Sequence, residues 1–139
     1  MPVETRHLSI ATAGNTQILD ITASIEAELS QCSLQNGMLL VFVPGSTAAV
    51  TTIEYESGVI QDLKQAIETI IRKDIPYQHD ERWNDGNGHS HVRAAFLGPS
   101  LIIPFTGKKL LLGTWQQIVL IDFDVQPRQR QMIVQLIGE

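Results

Sequence analysis

Apolar and polar positions recur along this chain with two different periods, and the switches between them lay out its elements. From Val3 to Ala13 β-branched and polar residues mix, Gly14-Asn15 gives a turn signal, and a second run covers Thr16 to Ile21. The two runs predict a β-hairpin. Ile21, Ile25, Leu29 and Cys32 then fall on one helical face, predicting a helix capped by Asp20 or Thr22, running through Leu34 and closed by Asn36-Gly37. Met38 to Val43 is a continuous apolar run of strand length, broken by Pro44-Gly45. Ala48 to Ile53 reads as a further strand, antiparallel to it if the turn is tight.

A second helical period begins at Ser57 or Gly58 and carries Ile60, Leu63, Ile67, Ile70 and Ile71. It stops at Asp74, Ile75 and Pro76, because a residue before proline is pushed out of the helical region. The polar stretch from Tyr77 to Gly88 reads as a long loop, of the kind that is functional or disordered inside a domain. A short helix from His91 to Leu97, closed by Gly98-Pro99, precedes strands at Ser100 to Phe105, Leu110 to Leu112, Trp115 to Phe123 and Arg128 to Ile137, with a turn at Gly107. No composition shift or repeat divides the chain, so residues 1–139 read as a single domain. The class is α+β: helices flanking a strand-rich core, with a mixed or antiparallel sheet folded on itself.

Composition narrows the setting. The 139 residues are enough for one self-sufficient core, and 43% hydrophobic with 18% charged residues excludes a disordered chain. A net charge of −5 argues against a nucleic-acid binder, which needs a basic surface. The N-terminal MPVETRHLSI has no signal-peptide pattern, and the apolar runs are far shorter than the ~20 residues that span a bilayer. The single cysteine, Cys32, forms no internal disulfide, fits a cytoplasmic setting, and reads as a packing residue rather than a nucleophile.

Chemistry concentrates between His79 and Arg93. Three of the four histidines, His79, His89 and His91, fall there among Asp80, Glu81, Asn84, Asp85 and Asn87. Imidazole binds metals and moves protons near neutral pH. His89 and His91 would diverge on a helix but share a side on an extended backbone, which Gly86 and Gly88 make plausible. The three rings are therefore candidate ligands for one divalent metal. Their nitrogens suit zinc, copper, nickel or iron, with zinc preferred. If Ser90 caps the following helix, its free N–H groups and Arg93 make a phosphate site beside them. The donor-rich turn Pro44-Gly45-Ser46-Thr47, the pair Trp115 and Gln116, and the acid Glu54 are further candidates.

Three runs, PGSTAAVTTIEYE, DGNGHSHVRAAFLGPS and LGTWQQIVLIDFD, together resemble the YjbQ family, often labelled secondary thiamine-phosphate synthase, over nearly the whole chain. The resemblance implies a compact α+β fold with a β-sandwich-like core, assembled as a homotrimer with a metal-associated pocket. His89 and His91 match the D-G-N-x-H-x-H motif, with Asp85 and Asn87 on its polar positions. His79 matches an upstream histidine, and Trp115 and Gln116 match the G-T-W-Q segment. The sequence departs at Gly45, where many members carry histidine. The implied reaction joins a pyrimidine pyrophosphate to a thiazole phosphate. On this reading Glu54 and Asp85 are the catalytic acid–base candidates. Ser46, Thr47, Asn87, Ser90, Arg93, Trp115 and Gln116 bind substrate or phosphate, and a metal, zinc or with a pyrophosphate magnesium, assists. The competing reading is a non-catalytic trimer that captures a metal or a phosphorylated metabolite.

Overall fold

Along the last apolar stretch Met132, Val134 and Leu136 are fully buried while their neighbours face outward, the two-residue period of a strand with one covered face. The same logic, alternating with helical periods, builds twelve elements in a computed structural model that describes residues 1–139. They are β1 (Val3–Thr12), β2 (Gln17–Asp20), α1 (Thr22–Gln31), β3 (Asn36–Phe42), β4 (Ala48–Ile53) and α2 (Ser57–Ile70). There follow α3 (Gln78–Trp83), α4 (Gly88–Leu97), β5 (Ser100–Thr106), β6 (Lys109–Leu110), β7 (Gln117–Asp122) and β8 (Arg128–Gly138). The strands form a five-stranded sheet, β1-β8-β3-β5-β6, and a three-stranded sheet, β2-β7-β4. Every pairing is antiparallel, so the sheets are not mixed.

The two sheets face each other across the main core. Ile25 and Leu29 of α1 pack there with Leu39, Val41, Val50, Ile118, Leu120, Met132 and Val134. The outer face of the small sheet carries a second core, in which Ala49, Val119, Ile121 and Phe123 meet Ile67 of α2 and Ala94 of α4. The run Ile118 to Ile121 is therefore covered on both sides, each side chain contributing about 1.5–3 kcal/mol. This is the α+β class that the pattern predicts and the sandwich-like core that the resemblance implies. No helix is long and apolar enough to cross a membrane.

Several local expectations are corrected. The first two strands are not a hairpin: β1 pairs with β8 and β2 with β7. Gly14, Asn15 and Thr16 all have positive φ (78°, 54° and 63°) and carry the chain from one sheet to the other. Nor does β4 pair with β3: its partner is β7, and residues 44–47 make a second crossing between sheets. Helix α1 stops at Gln31, short of Leu34, and Asn36-Gly37 open β3 instead of closing the helix. Asp20 accepts the Thr22 N–H at 3.0 Å, while the Thr22 hydroxyl takes the Ile118 N–H at 2.9 Å and fastens the helix to β7. Cys32 is buried, with its thiol on the Leu34 carbonyl, as a packing residue should be.

The polar stretch after Pro76 is not a loop. It holds α3, ended by Asn84 in the left-handed region, and α4 starts at Gly88 rather than His91. Asn87 stands at the N-cap position, so Ser90 lies inside the helix and caps nothing. Trp115 precedes β7 and does not enter the core.

Candidate functional site

The short helix α3 lies against the start of α4, and their polar residues are knotted by backbone hydrogen bonds. Asp80 accepts the Gly88 N–H at 2.8 Å and Asp85 accepts the Asn87 N–H at 3.0 Å. Both carboxylates also lie 3.4 Å from His79 Nδ1. The ligating atoms of His79, Asp80 and Asp85 all fall within 4.8 Å of one another. The ring of His91 stands 4.5 Å from that of His79, inclined by 50°, and its Nδ1 lies 3.1 Å from the Ser46 carbonyl oxygen. Two imidazoles and two carboxylates thus meet where α3, α4 and the 44–47 loop come together.

His89 is not with them. On a helix, residues two apart diverge by about 200°, and His89 turns inward, 3% exposed, with Ser90 Oγ at 3.4 Å and the Tyr77 ring at 6.3 Å. Burial first, then the charges of Arg93 and Lys73, hold its imidazole below the ordinary value. It is a neutral wall residue, and the expected three-histidine cluster reduces to His79 and His91.

Arg93 also differs from expectation. Its guanidinium is buried and spent on protein partners: the Ile71 carbonyl at 3.0 and 2.7 Å, the Thr16 hydroxyl at 3.1 Å, and the Glu68 carboxylate. It closes the end of α2 and offers nothing to an anion. Ser90 donates its hydroxyl to the Phe123 carbonyl at 2.6 Å. Asn87 donates to Asp124 at 3.3 Å and accepts the Val125 N–H at 3.1 Å. These two side chains are spent on the turn after β7.

The sequence reading passed over a buried charge network behind the 44–47 loop. Arg130 grips Asp122 through Nε at 2.7 Å and Nη2 at 2.9 Å, and Thr12 donates to the same carboxylate at 2.6 Å. Nη2 also donates to Thr47 Oγ1 at 2.7 Å, and that hydroxyl donates to Asp124 at 2.9 Å. Burial pushes the Asp124 carboxyl up, but the Gln126 N–H, Thr47, Asn87 and Arg128 outweigh it and hold the group below its ordinary value. The available signal was charge inside apolar strands, Asp122 and Asp124 after VLI and Arg128 and Arg130 before MIV.

The remaining candidates sit elsewhere. Glu54 is exposed just past the end of β4, Trp115 is 71% exposed, and Gln116 bonds Gly113 N and Thr52 Oγ1. Ser46, at His91, precedes β4, whereas Thr52 lies near its end, so six residues of extended chain, about 20 Å, part the two groups. Each end has a cleft of about 270 Å³, one lined by Gly45, Ser46, Ala48 and His91, the other by Thr51, Thr52, Ile102 and Gln116.

Residues 6–139 match the family model described as UPF0047 protein YjbQ-like. A UPF0047 protein of Archaeoglobus fulgidus is 35% identical over 127 residues, covering 91% of this chain and 96% of its own. One of Methanothermobacter thermautotrophicus is 34% identical over 139 residues, 100% of this chain and 95% of the relative. Among solved structures, a YbjQ-like protein of unknown function from Sulfolobus solfataricus superposes with a TM-score of 0.92 at 32% identity, covering 99% of each chain. A hypothetical protein from Aeropyrum pernix gives a TM-score of 0.89 at 35% identity, over 98% of this chain and 99% of that one.

Proposed function

Because this chain belongs to the UPF0047, YjbQ-like family, we propose that it is a metal-dependent enzyme acting on a phosphorylated small molecule. One observation carries the reading: the rings of His79 and His91 stand 4.5 Å apart, the first beside two carboxylates and the second on a backbone carbonyl. With Nδ1 on the Ser46 carbonyl, His91 keeps Nε2 for a cation, the way imidazole ligands are oriented by their surroundings, and His79 shares its Nδ1 edge with both carboxylates.

The donor set fits the ion that the family resemblance implies. Two imidazole nitrogens with a carboxylate oxygen suit zinc, whereas magnesium prefers oxygen and would lean on Asp80, Asp85 and substrate phosphate. A divalent ion there supplies positive charge toward a departing phosphate or pyrophosphate. His79, His91 and Asp80 hold it, Asp85, more exposed than Asp80, is the acid–base group of this end, and Ser46 presents a hydroxyl to the cleft. His89 stays outside the ligand set.

The finer activity in this proposal is the joining of a pyrimidine pyrophosphate to a thiazole phosphate, in a cytoplasmic homotrimer. The trimer is supported by the outer face of the large sheet, where register puts Met38, Leu40, Ile102, Pro104 and Ile137 side by side. Met38 and Ile102 are 52% and 63% exposed in one protomer, more than isolated surface residues need to be. The test is to incubate zinc-loaded and chelator-treated protein with the two heterocycles and follow thiamine phosphate by chromatography. Product that depends on metal and disappears in His91→Ala supports the enzyme. Metal bound by His79 and His91 without turnover leaves the alternative, a trimer that captures a metal or phosphorylated metabolite.

A further inference from the structure

The loop that crosses from the large sheet to the small one leaves its own donors unused. The backbone N–H groups of Gly45, Ser46 and Thr47 donate to no acceptor in the protein. Beneath them lies Arg130, its side chain only 9% exposed and its Nε and Nη2 committed to Asp122 and Thr47. Its remaining nitrogen, Nη1, makes no hydrogen bond to the protein yet is not sealed from solvent. It faces Gly45: a Cβ built on that residue would stand 2.8 Å from it, too near for any real Cβ. Gly45 is exposed and has φ +139°, a conformation other residues rarely adopt. The missing side chain is therefore an opening with a fixed guanidinium edge at its floor.

We propose that the N–H groups of Gly45, Ser46 and Thr47, with Arg130 Nη1, form an oxyanion subsite that receives the phosphate, or a carboxylate, of the substrate. Successive unpaired N–H groups in a turning backbone make concave anion sites, and a guanidinium adds a charge-assisted bond of defined direction. The Asp122 ion pair holds the arginine by its opposite edge, so Nη1 keeps its aim without using flexible side-chain motion. Asp122 and Asp124 balance Arg130 and Arg128, so the subsite selects through donors rather than net charge. Its place is also apt: the Ser46 carbonyl takes the Nδ1 proton of His91, and Gly45, Ser46 and His91 line one cleft of about 270 Å³. An anion in this subsite would share that cleft with His91. The assignment deepens the phosphorylated-substrate reading and rests on it only for the choice of phosphate over carboxylate.

The test is an NMR titration of the full chain, kept metal-free by chelator, with inorganic phosphate and separately with acetate. Saturable movement of the Gly45, Ser46 and Thr47 amides and of the Arg130 guanidinium is expected, weakened about tenfold or more in Gly45→Ala. If that variant does not fold, Arg130→Lys, which keeps the charge and loses the fork, carries the same comparison. Response to phosphate, alone or together with acetate, supports both the subsite and the phosphorylated substrate. Response to acetate alone keeps the subsite and refutes the phosphorylated substrate. No response to either, or equal affinity in the variant, overturns the subsite.

Discussion

The Nδ1 of His91 lies 3.1 Å from the backbone carbonyl oxygen of Ser46, and this contact decides which of its nitrogens is free. A carbonyl only accepts, so Nδ1 carries the proton and Nε2 keeps its lone pair. The ring is thereby oriented as a ligand, with His79 beside it.

Replacing either ring with alanine should therefore release metal. His91→Ala and His79→Ala are expected to weaken zinc binding by at least about tenfold, measured by competition with a chromophoric chelator. His89→Ala should keep zinc and instead lose stability, by about 1–3 kcal/mol, because it empties a buried position. Zinc lost from the His89 variant and kept by the His91 variant would reverse the assignment.

His89 should also make stability depend on pH. Burial, Arg93 and Lys73 hold its folded-state pKa below the ordinary 6.5. As pH falls through 6.5 the unfolded chain takes the proton first, so stability is complete above that value and declines below it. Urea midpoints between about pH 7.5 and 5.5 should fall less in His89→Gln than in wild type. Parallel curves would show that another group sets the slope.

Asp122 and Arg130 form a pair buried at the junction of both sheets. Asp122→Ala leaves a guanidinium without its counter-ion and should cost about 3–5 kcal/mol, read from urea unfolding. Removing both partners together should cost less than the sum of the single losses.

Ile102 is 63% exposed on the outer face of the large sheet and packs in neither core. Ile102→Lys should therefore fold normally and, in the proposed trimer, break assembly. Sedimentation velocity should show trimer for wild type and monomer for the variant. Monomer for both would dispose of the trimer.

How much of this was readable beforehand depends on the range of the forces involved. The strand Ala48–Ile53 and the helix Ser57–Ile70 were legible because their apolar period is local and their ends carry local signals. Partner choice was not: Gly14-Asn15 looks like a hairpin turn, but β1 is drawn to β8 by a register ten residues long, settled far away in sequence. His89 and His91 were misplaced together for one reason. Gly86 and Gly88 suggested a turning backbone, yet Gly88 begins a helix, and a helix sends the two rings apart. Arg93 looked free because its partners, Thr16, Glu68 and Ile71, are distant in sequence. Arg130 was invisible as a site because only the opening at Gly45 gives its third nitrogen a purpose.

The order β1-β8-β3 also bears on how the chain is made. Strand β8 fills the gap between the first and the third, pairing with Val3–Thr12 on one side and Gly37–Phe42 on the other. Until residue 138 has left the ribosome, β1 has no partner and β3 shows an open edge where β8 will lie. The nascent chain therefore carries exposed strand edges until β8 has been made, and closing the large sheet is a long-range event. A ribosome-arrested chain ending before β8 should be open to protease and to chaperones, whereas one arrested with β8 outside the exit tunnel should gain protection of the large sheet in one slow step.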